Sequence, residues 1–282
     1  MKRLFFLTMA SLMVLAAVSC DKESKKPQEP VNPLPSTVWT QSWGSVFAGM
    51  NITYKATLVF EDKLVRLVFS ALDLQLDEMP TIMHGRSNYV FENTSDGGGL
   101  VSFSLPIQST NALGIPETTY SGSYNPDSAV LTLNIAEVDG AQPFGRKTLD
   151  LIKESKLTTE MNPFPATTWT ASWSAGSVLY KAVLAFESSS VNLIITAPDL
   201  KVDGKSVILY GSAPYQFQKA SGTDNSGNLS FTMSTRSNTF LNLPKTTFSG
   251  AYTLDSKMLT LNVSSGEGKV LGTDAINFAR DF

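Results

Sequence analysis

The feature that most constrains the fold is that the chain nearly repeats itself. Val31-Asn32-Pro33-Leu34-Pro35-Ser36-Thr37-Val38-Trp39-Thr40-Gln41-Ser42-Trp43 returns 130 residues later as Met161-Asn162-Pro163-Phe164-Pro165-Ala166-Thr167-Thr168-Trp169-Thr170-Ala171-Ser172-Trp173. Tyr54-Lys55-Ala56 and Ala71-Leu72-Asp73-Leu74 return at an offset of 126, as Tyr180-Lys181-Ala182 and Ala197-Pro198-Asp199-Leu200. The segments 118–124 and 131–135 return at 128, as 246–252 and 259–263. A solenoid unit has about 20 to 50 residues, so a period this long makes each copy a domain of its own. The drifting offset puts the insertions and deletions in loops. The expected domains are 36–155 and 161–282, with Lys-Leu-Thr-Thr-Glu at 156–160 between them.

Within a copy the periodicity is that of strands. Copy two has eight runs of strand character, at about 167–174, 178–188, 190–197, 205–217, 228–234, 246–254, 257–265 and 274–282, and none with a helical period. Leu229, Phe231 and Met233 alternate with Ser230, Thr232 and Ser234, and Val101, Phe103 and Leu105 with Ser102 and Ser104. Each sheet is therefore expected to have one buried and one wet face. Short turns such as Asp127-Ser128 and Asp255-Ser256 make successive strands antiparallel neighbours. Eight such strands in one domain predict a closed up-and-down barrel, which removes exposed edges; the rival is a β-sandwich. Alternation also fits a barrel spanning an outer membrane, and Phe278 and Phe282 resemble the terminal aromatic pattern of such barrels. Runs such as 228–234 are too short for a membrane strand of about 9 to 11 residues.

Trp39 and Trp169 on the first strand of each copy, with Lys153 and Arg280 on the last, resemble the calycin or lipocalin-like family. There a first-strand tryptophan, usually in Gly-x-Trp, is covered by a last-strand arginine that closes one end of the barrel. The resemblance implies tandem eight-stranded lipocalin-like barrels closed by Trp39 with Lys153 and by Trp169 with Arg280. Thr37 and Thr167 stand where the family has its glycine, and no helix follows the last strand.

The N terminus carries a different kind of information. Lys2 and Arg3 precede a nearly unbroken apolar run, 4–18, which is the layout of a secretory signal. Small residues lead into Cys20, and Leu15-Ala16-Ala17-Val18-Ser19-Cys20 resembles a bacterial lipobox. Residues 1–19 are therefore expected to be removed and Cys20 to carry lipid. An ordinary cleaved signal with an incidental cysteine is the plainer alternative. Cys20 is the only cysteine, so no disulfide framework exists. Residues 20–35 read as a proline-rich tether, reaching roughly 20 to 25 Å as a flexible coil. The charged stretch after Cys20 is similar to that of Bacteroides-type lipoproteins displayed on the outer membrane, whereas in enteric bacteria Asp21 would imply inner-membrane retention. Asp127-Ser128-Ala129 resembles the O-glycosylation motif of the same bacteria. Removing residues 1–19 leaves 20 basic against 25 acidic side chains, a net charge of −5, which argues against a nucleic-acid partner.

Little in the sequence points to catalysis. His84 is the only histidine; Tyr210 stands near its position in copy two, and its plain reading is a loop or strand-end side chain. A Cys/His zinc site is excluded, and no serine sits in a Gly-x-Ser-x-Gly turn. Gly97-Gly98-Gly99 precedes a strand and reads as a hairpin loop. Asp73 and Asp199 recur in both copies, but their Ala-x-Asp-Leu setting just past a strand suits a carboxylate that hydrogen-bonds its own turn better than it suits a hydrolase. Tyr54, Tyr89, Tyr120 and Tyr124, with Tyr180, Tyr215, Phe248 and Tyr252, either line a ligand cavity or fill the barrels. The expected protein is a non-catalytic, lipid-anchored envelope protein without cofactor, binding a small apolar or amphipathic ligand. The alternative is an interaction or adhesion module in which filled barrels meet an envelope or host protein.

Overall fold

A computed structural model describes residues 32–281 except 114, 139, 141, 159–161, 222–225, 254–256 and 269–270. The signal 1–19, Cys20, most of the tether, the turn at Asp255-Ser256 and Phe282 lie outside the described residues.

Copy one comprises β1 (Thr37–Phe47), β2 (Met50–Phe60), β3 (Leu64–Leu76), β4 (Met79–Asn88), β5 (Val90–Asn93), β6 (Gly99–Leu105), β7 (Gln108–Ser109), β8 (Thr118–Asn125), β9 (Val130–Ile135) and β10 (Thr148–Thr158). Copy two comprises β11 (Thr167–Ala175), β12 (Val178–Phe186), β13 (Ser190–Val202), β14 (Lys205–Lys219), β15 (Ser226–Met233), β16 (Arg236–Ser237), β17 (Thr246–Thr253), β18 (Met258–Ser265) and β19 (Ala275–Arg280).

In copy two the order β13-β12-β11-β19-β18-β17-β15-β14 closes through the β13–β14 pairing, giving an antiparallel up-and-down barrel of eight strands. Closure excludes the sandwich for this copy. Copy one is a curled sheet in the order β5-β6-β8-β9-β10-β1-β2-β3-β4-β7. Its β4 and β5 match the single strand β14 and are separated in the chain by Tyr89 alone.

The faces sort by polarity as the alternation requires. Leu229, Phe231 and Met233 are buried inside with Trp169, Phe186, Phe248 and Phe278, and copy one repeats the pattern around Trp39, Phe60, Phe103 and Tyr120. A membrane-spanning barrel has the reverse arrangement, apolar side chains outward and polar ones within. The observed sense is that of a barrel in water, and it sets the membrane-spanning reading aside.

Gly122 and Gly250 show how tightly the strands are coiled. A Cβ at Gly122 would lie 2.0 Å from the carbonyl oxygen of Thr132, and at Gly250 1.8 Å from that of Thr260. Both clashes are with backbone, which cannot swing away. Gly250→Ala is expected to cost about 2 kcal/mol, measurable as a lower urea midpoint with an unchanged slope.

The segments 32–37 and 162–167, which open the two copies, are plugs, and the first of them overlaps the expected tether. Asn32 and Asn162 each accept from the amide two residues on, Leu34 at 3.0 Å and Phe164 at 3.1 Å, and each donates to a tyrosine hydroxyl, Tyr89 and Tyr215, at 2.8 Å. This turn drives Leu34 and Phe164, both 0% exposed, into the end of the core. The hydroxyls of Thr37 and Thr167 donate to the carbonyls of Leu34 and Phe164 and accept the indole N–H of Trp39 at 2.7 Å and of Trp169 at 2.9 Å. That is why threonine stands where a glycine was expected. Residues 32–35, expected to belong to the tether, are therefore part of the folded body.

Candidate functional site

The side chains expected to close the barrels are register partners, Trp39 with Lys153 and Trp169 with Arg280. The Lys153 ammonium lies 5.9 Å from the Trp39 ring centre and the Arg280 guanidinium 6.0 Å from that of Trp169. Both sit at the outer limit of a cation–π contact.

The eight rings placed as candidate cavity lining are engaged with other rings, in pairs that repeat between the copies. Tyr54 stacks on Trp43 and Tyr180 on Trp173, each at 5.3 Å. Tyr120 stacks on Phe103 at 5.1 Å and Phe248 on Phe231 at 4.9 Å. Tyr124 meets Trp39 edge-on and Tyr252 meets Trp169 likewise. Tyr89 and Tyr215 pack edge-on against Phe60 and Phe186. Burial pushes the hydroxyls of Tyr120 and Tyr215 well above the ordinary tyrosine value. The Tyr120 hydroxyl is buried without a hydrogen-bond partner among the described residues.

Polar chemistry gathers instead where the two copies meet. The same outer face of each copy contributes. Val59, Val68 and Ile82 pack with their counterparts Ala185, Ile194 and Ile208, together with Val38, Ala166 and Tyr210. These strands therefore have both faces covered, as the uninterrupted buried stretch Val65–Ala71 on β3 records. His84 lies within β4, not in a loop or at a strand end. It faces this apolar seam at 7% exposure, its Nδ1 3.3 Å from the Thr168 hydroxyl.

Two carboxylates flank the seam at equivalent positions but in different settings. Glu61 pairs at 3.1 Å with Arg66, whose guanidinium is buried and also reaches the Ala166 carbonyl at 3.5 Å. Desolvation lowers the Arg66 pKa to about 10, against the opposing pull of Glu61. Glu187 is itself buried. It accepts from Asn192 at 2.8 Å, from Ser190, and across the seam from Ser70 and from Lys55 at 3.3 Å.

Beside this network a groove of about 390 Å³ opens between the copies. Its walls include Lys55, Ser70, Leu72 and Asp73 from copy one and Glu187, Asn192, Tyr210 and Arg236 from copy two. Asp73 and Asp199 occupy matching irregularities in β3 and β13, where Ala71 to Gln75 and Ala197 to Lys201 break the ladder register. Asp73 does not cap its own turn; its carboxylate accepts from Arg236 at 3.2 Å. Asp199 is exposed on its own bulge. Further along, Glu78 bridges to Lys205 and accepts from Asn238 at 2.8 Å, and Gln75 donates to the Tyr210 hydroxyl at 2.6 Å. Asp127-Ser128-Ala129 forms an exposed hairpin between β8 and β9. Among the described residues no three His, Cys, Asp or Glu side chains come together as a metal centre.

The seam predicts a pH dependence. Desolvation holds the His84 imidazole below its ordinary 6.5, outweighing the attraction of Asp281. The unfolded chain therefore takes up a proton in a range where the folded one does not, so stability is full above 6.5 and falls as pH drops from there towards the depressed folded value. His84→Gln is expected to flatten this dependence, read as the difference between urea midpoints at about pH 5 and about pH 8 for the two proteins.

Compared with protein-family models, with curated proteins and with solved structures, the chain matches none.

Proposed function

We propose that the chain is a non-catalytic, lipid-anchored protein of a bacterial cell envelope, whose two lipocalin-like barrels act as one rigid recognition body. Copy one is read as a second barrel, completed where β4 runs into β5 through Tyr89. The observation that carries the proposal is the set of repeated ring pairs: the side chains that would line a cavity are spent on one another, which leaves recognition to the outer surface and favours the interaction module over the ligand container. The lipobox-like sequence at Cys20 supports the anchor.

Native mass spectrometry of the mature protein from its membrane fraction tests both parts. The expected mass is that of a chain beginning at acylated Cys20 with no guest, and Cys20→Ala should release the protein from the membrane. A stoichiometric apolar guest would overturn the filled-barrel reading, and an unacylated chain would overturn the anchor. A small guest inside copy one is the second reading, favoured by the unpartnered Tyr120 hydroxyl. On that reading Tyr120→Phe empties the barrel in the same spectrum.

A further inference from the structure

We propose that the groove between the two copies is a binding site for a neutral polyhydroxylated ligand, a carbohydrate unit of one or two rings. The proposal rests on the reading of the outer surface as the recognition surface, and is independent of the anchor.

The lining decides the ligand class. Two cations, Lys55 and Arg236, face two anions, Asp73 and Glu187, so the formal charge of the groove sums to zero. An ionic ligand would bring its charge against a like charge already present. A purely apolar ligand would have to strip water from three exposed ionised groups, Lys55, Asp73 and Arg236, without replacing their hydrogen bonds. A hydroxylated ligand meets neither difficulty, because each hydroxyl both donates and accepts. The charges stand as two ready couples, Lys55 with Glu187 at 3.3 Å and Arg236 with Asp73 at 3.2 Å. At the exposed couple a pair of neighbouring hydroxyls can donate to the Asp73 carboxylate and accept from Arg236 in one approach, with charge-assisted bonds of the stronger kind. Lys55 can donate to a further hydroxyl, while Glu187, saturated by its own donors, holds Lys55 in place. Leu72 and Tyr210 supply apolar wall against which the C–H face of a sugar ring can lie. The volume of about 390 Å³ lies within the usual range for small-molecule sites.

The groove is also held in shape before any ligand arrives. Glu187 is fixed by Ser70, Asn192 and Ser190, and the Tyr210 hydroxyl by Gln75. Asp73 sits on the β3 bulge. Fixed groups lose little freedom on binding, which favours affinity from few contacts. Neither copy holds the site alone: Asp73 and Lys55 come from one, Glu187 and Arg236 from the other. Thr53 on one side and Gly211, Ser212 and Ser234 on the other complete the rim.

The test is a titration of the whole folded chain with maltose, cellobiose and N,N′-diacetylchitobiose, followed through backbone amide chemical shifts. At least one sugar is expected to shift amides confined to residues 53–55, 72–73, 211–212 and 234–236. Asp73→Asn and Arg236→Gln should each weaken that binding at least tenfold. Both side chains are half-exposed or more, at 50% and 72%, and the unshifted remainder of the spectrum checks that each variant folds. If no sugar shifts any amide at tens of millimolar, the proposal falls, and the recognition reading is then judged by the native mass spectrum alone. If a sugar binds elsewhere, or binds the two variants as tightly as the parent, the groove assignment falls while a recognition surface remains.

Discussion

Phe164→Ala is expected to destabilise the protein by about 4 kcal/mol, the middle of the range for deleting a buried aromatic ring. Phe164 is 0% exposed and touches five rings of the copy-two core: Trp169 at 5.9 Å, Phe186 at 4.7 Å, Tyr215 at 6.3 Å, Phe217 at 5.3 Å and Tyr252 at 4.9 Å. It stands at the barrel end, so its loss leaves a void next to water, and the Thr167 hydroxyl remains to hold Trp169. The size of the effect distinguishes a plug from a linker. Were 162–166 a mere connection between domains, the same substitution would cost a few tenths of a kcal/mol. Urea unfolding of the parent and the variant decides between the two.

Glu187→Ala is the second large effect, expected at about 3 kcal/mol. Its origin is different: no cavity of consequence forms, but the buried donors of Ser70 and Asn192 lose their acceptor, and Lys55 loses its counter-charge. Glu187→Gln keeps one acceptor oxygen and is expected to recover roughly half of the loss. The matching change Glu61→Gln serves as the control. Glu61 is 39% exposed and its partner Arg66 retains the Ala166 carbonyl, so a cost of about 1 kcal/mol is expected. A similar loss at both positions would mean that the crossing contacts of Glu187 contribute nothing.

How much of this was legible in the sequence depended on which contacts lie within one copy. The strand runs of copy two fall close to β11 through β19, and Asp127-Ser128 lies in the turn between β8 and β9, because alternation and turn chemistry are local signals. β13 extends to Val202, past the expected end at 197, because the bulge around Asp199 interrupts its register without ending the strand. The two-residue strand β16 is too short to leave any periodicity. The plug was visible as the longest repeat, but Asn-Pro-x-Pro reads by composition as a tether; its purpose depends on Tyr89 and Tyr215, more than fifty residues away in each copy. The seam left a signal that alternation alone does not interpret: Ala182–Phe186, Val191–Ile195 and Val207–Tyr210 are close to uninterrupted apolar runs, the mark of strands buried on both faces. The groove left none, since its walls come from both copies and its charged residues look, one at a time, like ordinary surface.

The meeting of the same face of each copy has a consequence for how substitutions act. It is the geometry of an isologous dimer, in which any substitution on the shared face appears twice. Within one chain that restriction does not apply, and the two faces differ: Arg66 answers to Asn192, His84 to Tyr210, and Ser70 to Thr196. The groove shares this asymmetry, for Arg236, which pairs with Asp73 across it, answers to Gln108 in copy one.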